Sequence, residues 1–197
     1  MVKIKECYSD YVTKFHIGET AFKIMLSKDG FESTTKELVD AAKLVRNVWL
    51  TAPKGEDVFD NQSDLRKLCS ELESTAPDTR IVIETNGRKK PSRFNMFKNL
   101  EFVLYDYFDY RQVEDVEQYN TDAFKWFRDA NTKFVFDADN HNDIEQLDKA
   151  CKKLMLPNKN VFLSLSNFNK ENIGHASLNG FNLIITVSFD YMFDMEL

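Results

Sequence analysis

Seven short apolar runs alternate with helical patterns along most of this chain. The runs are rich in β-branched and aromatic side chains, which is typical of buried strands. They occupy residues 21–26, 47–51, 81–83, 100–104, 133–136, 161–165 and 183–187. Between them, apolar residues recur at helical spacing. Strands that alternate with helices predict an α/β fold whose sheet is mainly parallel.

Four helix starts are predicted from side chains that can accept a hydrogen bond from a free backbone N–H of the first turn. They are Thr34 with Glu37, Asn61 or Ser63, Asn120 or Thr121, and Asn142 with Glu145. We therefore expect a single α/β domain over residues 1–197, with about six to seven strands and crossover helices. That strand number favours a partial or open barrel over a closed eight-fold one. Residues 1–20 give a weak signal.

Size and composition are those of an ordinary folded domain. The chain has 197 residues, of which 43% are hydrophobic and 29% are charged, so it is long enough to bury a core. No apolar run approaches the roughly 18–20 residues of a membrane span. The N-terminus carries no apolar signal core. We expect no membrane association and a cytosolic location.

Charge and residue spacing disfavour several classes of function. The net charge of −6 disfavours strong binding to free nucleic acid and favours a basic protein partner. Cys7, Cys69 and Cys151 are too far apart for a disulfide framework, and we expect them to be small buried residues. No glycine pair has the spacing of a phosphate-binding loop, and the three histidines have no metal-binding spacing. We predict no catalytic residue, metal or cofactor.

A polar turn follows the third apolar run. It is Glu84-Thr85-Asn86-Gly87, and turns at the carboxyl ends of strands are where ligands bind in sheets built from βα units. This arrangement resembles the radical S-adenosylmethionine enzymes of the 7-carboxy-7-deazaguanine synthase group. The likeness extends to Val48-Trp49-Leu50-Thr51 with the turn that follows it, and to Lys133-Phe134-Val135.

The chain departs from that family at the residues that hold its cofactor. The family binds an iron–sulfur cluster with three cysteines in a CxxxCxxC loop, whereas Cys7 stands alone here. The family's Gly-Gly-Glu-Pro turn is also broken, as Ala52-Pro53-Lys54-Gly55-Glu56. The resemblance therefore implies a degenerate radical-SAM scaffold without the cluster. An enzyme that still binds S-adenosylmethionine is the alternative.

Residues 101–122 combine acidic and aromatic side chains. Seven acidic residues stand against one basic residue, Arg111. Tyrosine and phenylalanine supply contact area at protein interfaces, and carboxylates set the charge preference of the partner. The predicted partner-binding residues are Tyr105, Asp106, Tyr107, Phe108, Asp109 and Tyr110, with Asp190, Tyr191 and Phe193 of the C-terminal run as further candidates.

Strand alternation would divide the first six of these residues between two faces. Tyr105, Tyr107 and Asp109 would then point one way, and Asp106, Phe108 and Tyr110 the other. Only one set can face outward, and the sequence does not choose between them. In the alternative interpretation, a strand is followed by a solvated acidic loop, and half of the aromatic rings lie in the core.

The chain as a whole resembles the staphylococcal lytic-phage inhibitors that bind domain 4 of the host housekeeping sigma factor. This resemblance rests on length, acidic charge and a composition rich in Lys, Asn and Asp and poor in Gly. It implies a non-enzymatic protein of the host bacterial cytoplasm that attaches to RNA polymerase holoenzyme and alters which promoters fire. Domain 4 is a small helix-turn-helix module with a basic DNA-facing side, which suits an acidic partner.

Overall fold

The computed structural model describes residues 2–11, 20–165 and 169–184. Within these ranges the strands form one sheet in the order β3-β1-β2-β4-β5-β6-β7-β8-β9. The strands are β1 (Val2–Tyr11), β2 (Thr20–Leu26), β3 (Phe31–Ser33), β4 (Asn47–Thr51), β5 (Arg80–Glu84), β6 (Leu100–Tyr105), β7 (Thr132–Ala138), β8 (Val161–Leu165) and β9 (Asn182–Ile184). The helices are α1 (Thr35–Ala42), α2 (Gln62–Thr75), α3 (Asp122–Asp129), α4 (His141–Leu154) and α5 (Lys170–Leu178).

The seven strands from β2 onward, without β3, are all parallel and follow one another in chain order. They correspond to the seven apolar runs, so the prediction of a mainly parallel α/β sheet is confirmed. The sheet is not closed into a barrel. β1 and β3 extend one edge in antiparallel pairing and were not predicted. Of the last predicted run, residues 185–187 lie outside the described residues.

The helices pack on one face of the sheet. The larger buried cluster contains side chains from all five helices together with alternate side chains of the strands. The smaller buried cluster, on the other face, consists of strand residues alone: Ala21, Trp49, Val82, Val103, Val135 and Ile184. Two charged side chains of this second face form an ion pair, in which Lys133 Nζ donates to Glu101 Oε1 at 2.6 Å.

Three of the four predicted helix starts are correct. Thr34 forms a capping box with Glu37, Asn61 caps α2, and Thr121 caps α3. The prediction for α4 was wrong, since the N-cap is Asn140, whose side chain accepts from Asp143 N at 3.1 Å. Both Asn140 and Asn142 precede a carboxylate by three residues. β7 ends at Ala138, so the first of the two asparagines takes the cap.

The crossover from β5 to β6 contains no helix, unlike the other crossovers between neighbouring parallel strands. Its chain, residues 85–99, lies along α2 and is held by side chains of that helix. Gln62 donates to Lys90 O and accepts from Ser92 N, at 3.2 and 2.9 Å. Glu73 accepts from Lys98 N at 2.7 Å. This irregular segment therefore has a fixed position.

Candidate functional site

The two stretches singled out from the sequence meet at the carboxyl ends of β5 and β6. Gly87 has φ +70°, and a Cβ placed there would lie 2.4 Å from Leu104 Cδ2 and 2.7 Å from Tyr107 Cε2. Only glycine therefore fits at this position without movement of its neighbours. The turn Glu84-Thr85-Asn86-Gly87 thus packs directly against the acidic-aromatic stretch.

The polar groups of this turn are held by Trp49 of β4 and by Asp57 of the crossover that follows β4. The buried carboxylate of Asp57 accepts from Thr85 Oγ1 at 2.7 Å and from Asn86 N at 2.8 Å. Glu84 Oε2 accepts from Trp49 Nε1 at 3.0 Å. The hydroxyl and the two carboxylates therefore fix the turn, which leaves the Asn86 side chain exposed at its surface.

A polar cleft of about 390 Å³ opens beside the turn. Its size lies within the range of small-ligand sites, roughly 300–1,000 Å³. Residues from the ends of β4, β5 and β6 line it, among them Thr51, Lys54, Glu84, Asn86, Arg88 and Tyr105. Positive and negative side chains are both present, so the cleft suits a zwitterionic or polar ligand.

The cysteines do not fit an iron–sulfur cluster at this cleft. Cys69 and Cys151 are buried in α2 and α4, where burial raises the pKa of both thiols and keeps them protonated. Cys7 is exposed on β1, so the expectation that all three are buried was wrong for this residue. The described residues contain no group of three or more His, Cys, Asp or Glu that could hold a metal ion.

Strand geometry ends at Tyr105, so the predicted alternation does not continue through the acidic-aromatic stretch. Asp106 has φ +42°, and its N–H donates to Val135 O at 2.9 Å, which turns the chain at this point. Phe108 and Tyr110 are only 2% and 3% exposed, and both rings pack on Phe136. These two predicted contact residues are therefore core residues in this fold.

Tyr105 and Tyr107 are half-buried. Burial raises the pKa of the Tyr105 phenol, and the carboxylates of Glu84 and Asp137 raise it further. The Tyr107 ring stacks on Phe124 with 5.5 Å between centroids. Both phenols are thus fixed, neutral and partly accessible, as the amphipathic rings of contact surfaces commonly are.

Six of the seven acidic residues are exposed and form what we call the acidic segment: Asp106, Asp109, Glu114, Asp115, Glu117 and Asp122. The seventh, Glu101, is buried and paired with Lys133. The one basic residue, Arg111, lies over the Tyr110 ring and near the carboxylates of Asp139 and Asp143, at 3.7 and 3.6 Å. Its charge is therefore directed towards α4. Lys153 of α4 pairs with Glu114 at 3.1 Å, and the segment keeps an excess of negative charge.

The remaining predicted contact residues, Asp190, Tyr191 and Phe193, lie outside the described residues. The histidines gave no signal in the sequence, yet the rings of His141 and His175 lie in contact, with 3.6 Å between centroids and 35° between ring planes. The first belongs to α4 and the second to α5. Their contact is tertiary, so no spacing rule could have found it.

No family model and no curated protein matches the chain. Within the described ranges, none of the helices combines the length and the apolar character that crossing a membrane requires.

Proposed function

We propose that this chain is a phage-encoded, non-enzymatic regulator of host transcription that binds domain 4 of the host housekeeping sigma factor. It would act in the host bacterial cytoplasm, on sigma within the RNA polymerase holoenzyme. The observation that carries the proposal is the acidic segment, which exposes six carboxylates over residues 106–122. The resemblance of the whole sequence to phage sigma inhibitors supplies the identity of the partner.

Electrostatics gives the physical reason for this pairing. A DNA-binding module presents clustered lysines and arginines to phosphates, and an acidic surface competes for the same side chains. Opposite charges accelerate association by roughly 10-fold to 1,000-fold, and salt weakens the effect. Tyr105 and Tyr107 lie at one end of the acidic segment and supply partly exposed rings for the contact.

The test is the association rate with purified sigma domain 4, measured by biolayer interferometry at several salt concentrations. The variant Asp115→Lys with Glu117→Lys should slow association about tenfold and flatten its salt dependence. A matched control, Asp78→Lys with Glu171→Lys, makes the same change in net charge at exposed positions elsewhere. Equal rates for both variants, or no binding by the unmodified protein, would remove the proposal.

The second candidate is binding of S-adenosylmethionine on a degenerate radical-SAM scaffold. It is favoured by the polar cleft beside the turn, because that family binds its cofactor at the carboxyl ends of strands. Calorimetry with S-adenosylmethionine tests it, and Glu84→Gln should weaken any binding that occurs in the cleft. A protein that gives no heat signal with S-adenosylmethionine would exclude this function and leave the first proposal unaffected.

A further inference from the structure

A groove lies on the helical face of the sheet where the β5–β6 crossover lacks a helix. It runs between residues 90–98 and α3, and its volume is about 600 Å³. This volume is within the range of pockets that hold small ligands, roughly 300–1,000 Å³. Of the residues proposed above for sigma binding, Asp122 alone also lines this groove.

The walls of the groove are aromatic. Trp126 of α3 and Phe97 of the crossover are half-buried, so part of each ring faces the groove. Buried rings fix both of them. The Trp126 and Phe102 centroids are 5.2 Å apart, and those of Phe97 and Phe94 are 5.8 Å apart. The groove therefore offers rigid apolar surfaces against which a planar ring can stack.

Three exposed lysines surround these rings: Lys90, Lys98 and Lys125. Across the described part of the chain, none of the three forms an ion pair with a carboxylate. The groove also contains Asp122 and Asp129, but Asp129 is paired with Arg128 at 3.0 Å. A protein with a net charge of −6 thus has a local excess of cations at this place.

The side of the groove formed by the β5–β6 crossover is preformed. The side chains of Gln62 and Glu73 in α2 hydrogen-bond to the backbone of residues 90–98 and hold them in place. Phe94 is 1% exposed and packs edge-on against Phe59, with 5.2 Å between centroids. A ligand would therefore meet a formed site and would lose little free energy in ordering it. Long irregular crossovers of this kind are commonly functional.

We propose that this groove binds a nucleoside phosphate, with the base against Trp126 and Phe97 and the phosphate between the lysine ammonium groups. Stacking on aromatic rings accepts any base, and lysine binds phosphate as a point charge. Asn131 and Asp122 also line the groove. The Nδ2 of Asn131 donates to Leu100 O at 3.1 Å, so its Oδ1 is the atom that suits the base edge, and the Asp122 carboxylate suits the ribose hydroxyls. A free mononucleotide fits better than a long strand, since the acidic protein repels an extended polyanion.

Calorimetry at low salt with adenosine 5′-monophosphate tests the proposal on the full chain. Lys98→Ala with Lys125→Ala should weaken binding about tenfold or more, and Trp126→Leu should weaken it as well. The control Lys149→Ala with Lys170→Ala removes two exposed lysines elsewhere and should leave affinity unchanged. Because the lysine variants alter only exposed side chains, their result stands even if Trp126→Leu fails to fold.

Binding of three further ligands distinguishes the contributions of the nucleoside, the phosphate and an extended strand to affinity. Adenosine and inorganic phosphate should each bind at least about tenfold more weakly than the nucleotide, because each fills half of the site. A ten-nucleotide single strand should bind no more tightly than the mononucleotide. The proposal is overturned if the nucleotide does not bind at about 10 mM, if phosphate alone binds equally well, or if the strand is the preferred ligand. Sigma binding by the same lysine variants should stay unchanged, so the two proposals fail independently.

Discussion

Two crossovers of this sheet carry the chain between neighbouring parallel strands in different ways. The crossover from β7 to β8 contains α4, whose backbone groups bond within the helix, with Asn140 at its start and Met155 in the left-handed conformation at its end. The crossover from β5 to β6 has no helix, and side chains of α2 and Asp57 satisfy its backbone groups. The conformation of the β7–β8 crossover therefore depends on local sequence. The conformation of the β5–β6 crossover depends on residues that are distant in sequence.

Both crossovers nevertheless reach the same core. Phe94 in residues 85–99 is 1% exposed, and Leu147 in α4 is 0% exposed. Burial of one large side chain contributes to stability in the same way whether its backbone is helical or irregular. The absence of a helix therefore does not make the β5–β6 crossover a loosely attached loop.

The largest predicted effect is on the free energy of unfolding, when the buried side chain of Phe94 or of Leu147 is truncated. Phe94→Ala should lower the free energy of unfolding by about 3–5 kcal/mol, and Leu147→Ala by about 2–5 kcal/mol, since each leaves a cavity. Urea denaturation followed by circular dichroism measures both. A loss below about 1 kcal/mol for Phe94→Ala would show that the irregular crossover is not part of the cooperative core.

A smaller effect is expected at the glycine that begins this crossover. Gly87→Ala should cost about 2–4 kcal/mol, because the new Cβ overlaps Leu104 and Tyr107 and the residue has φ +70°. Gly55→Ala is the matched control, with φ +93° and no atom within 4 Å of its Cβ. It should cost only about 1–2 kcal/mol, the backbone contribution. Equal losses in urea denaturation would contradict the close contact with Tyr107.

The smallest effect concerns the local signals of α4. Asn140→Ala should destabilise the protein by about 1 kcal/mol, because it removes the side chain that accepts from Asp143 N. Asn142→Ala should change stability by less than about 0.5 kcal/mol, since this side chain is exposed within the first turn. Thermal denaturation of both variants decides between the cap seen in the structure and the one predicted from the sequence.

Elements with strong periodicity could be predicted from the sequence, and elements held by tertiary contacts could not. The strands from β4 to β8 each contain a short apolar run, and these runs predicted the strands. α5 was missed because it buries only Asn172 and Ala176 and has almost no apolar face. β1 alternates clearly only at its start, where Val2 and Ile4 are buried.

The candidate site shows the same limit. The sequence singled out the turn at residues 84–87 and the acidic-aromatic stretch separately, but their contact through Gly87 and Tyr107 depends on the folded sheet. The burial of Phe108 and Tyr110 depends on the turn at Asp106. No local sequence motif predicted the positive φ of Asp106. The aromatic groove depends on the packing of Phe94 on Phe59, which are far apart in sequence.

The chain-ordered sheet has a consequence for synthesis on the ribosome. From β2 to β9, each parallel strand pairs with the parallel strand made just before it. Among the described residues, each new parallel strand and its helix can therefore dock on a completed edge as they emerge. The growing edge of the sheet is always the parallel strand that was made last. The interval between the end of translation and a complete sheet should therefore be short.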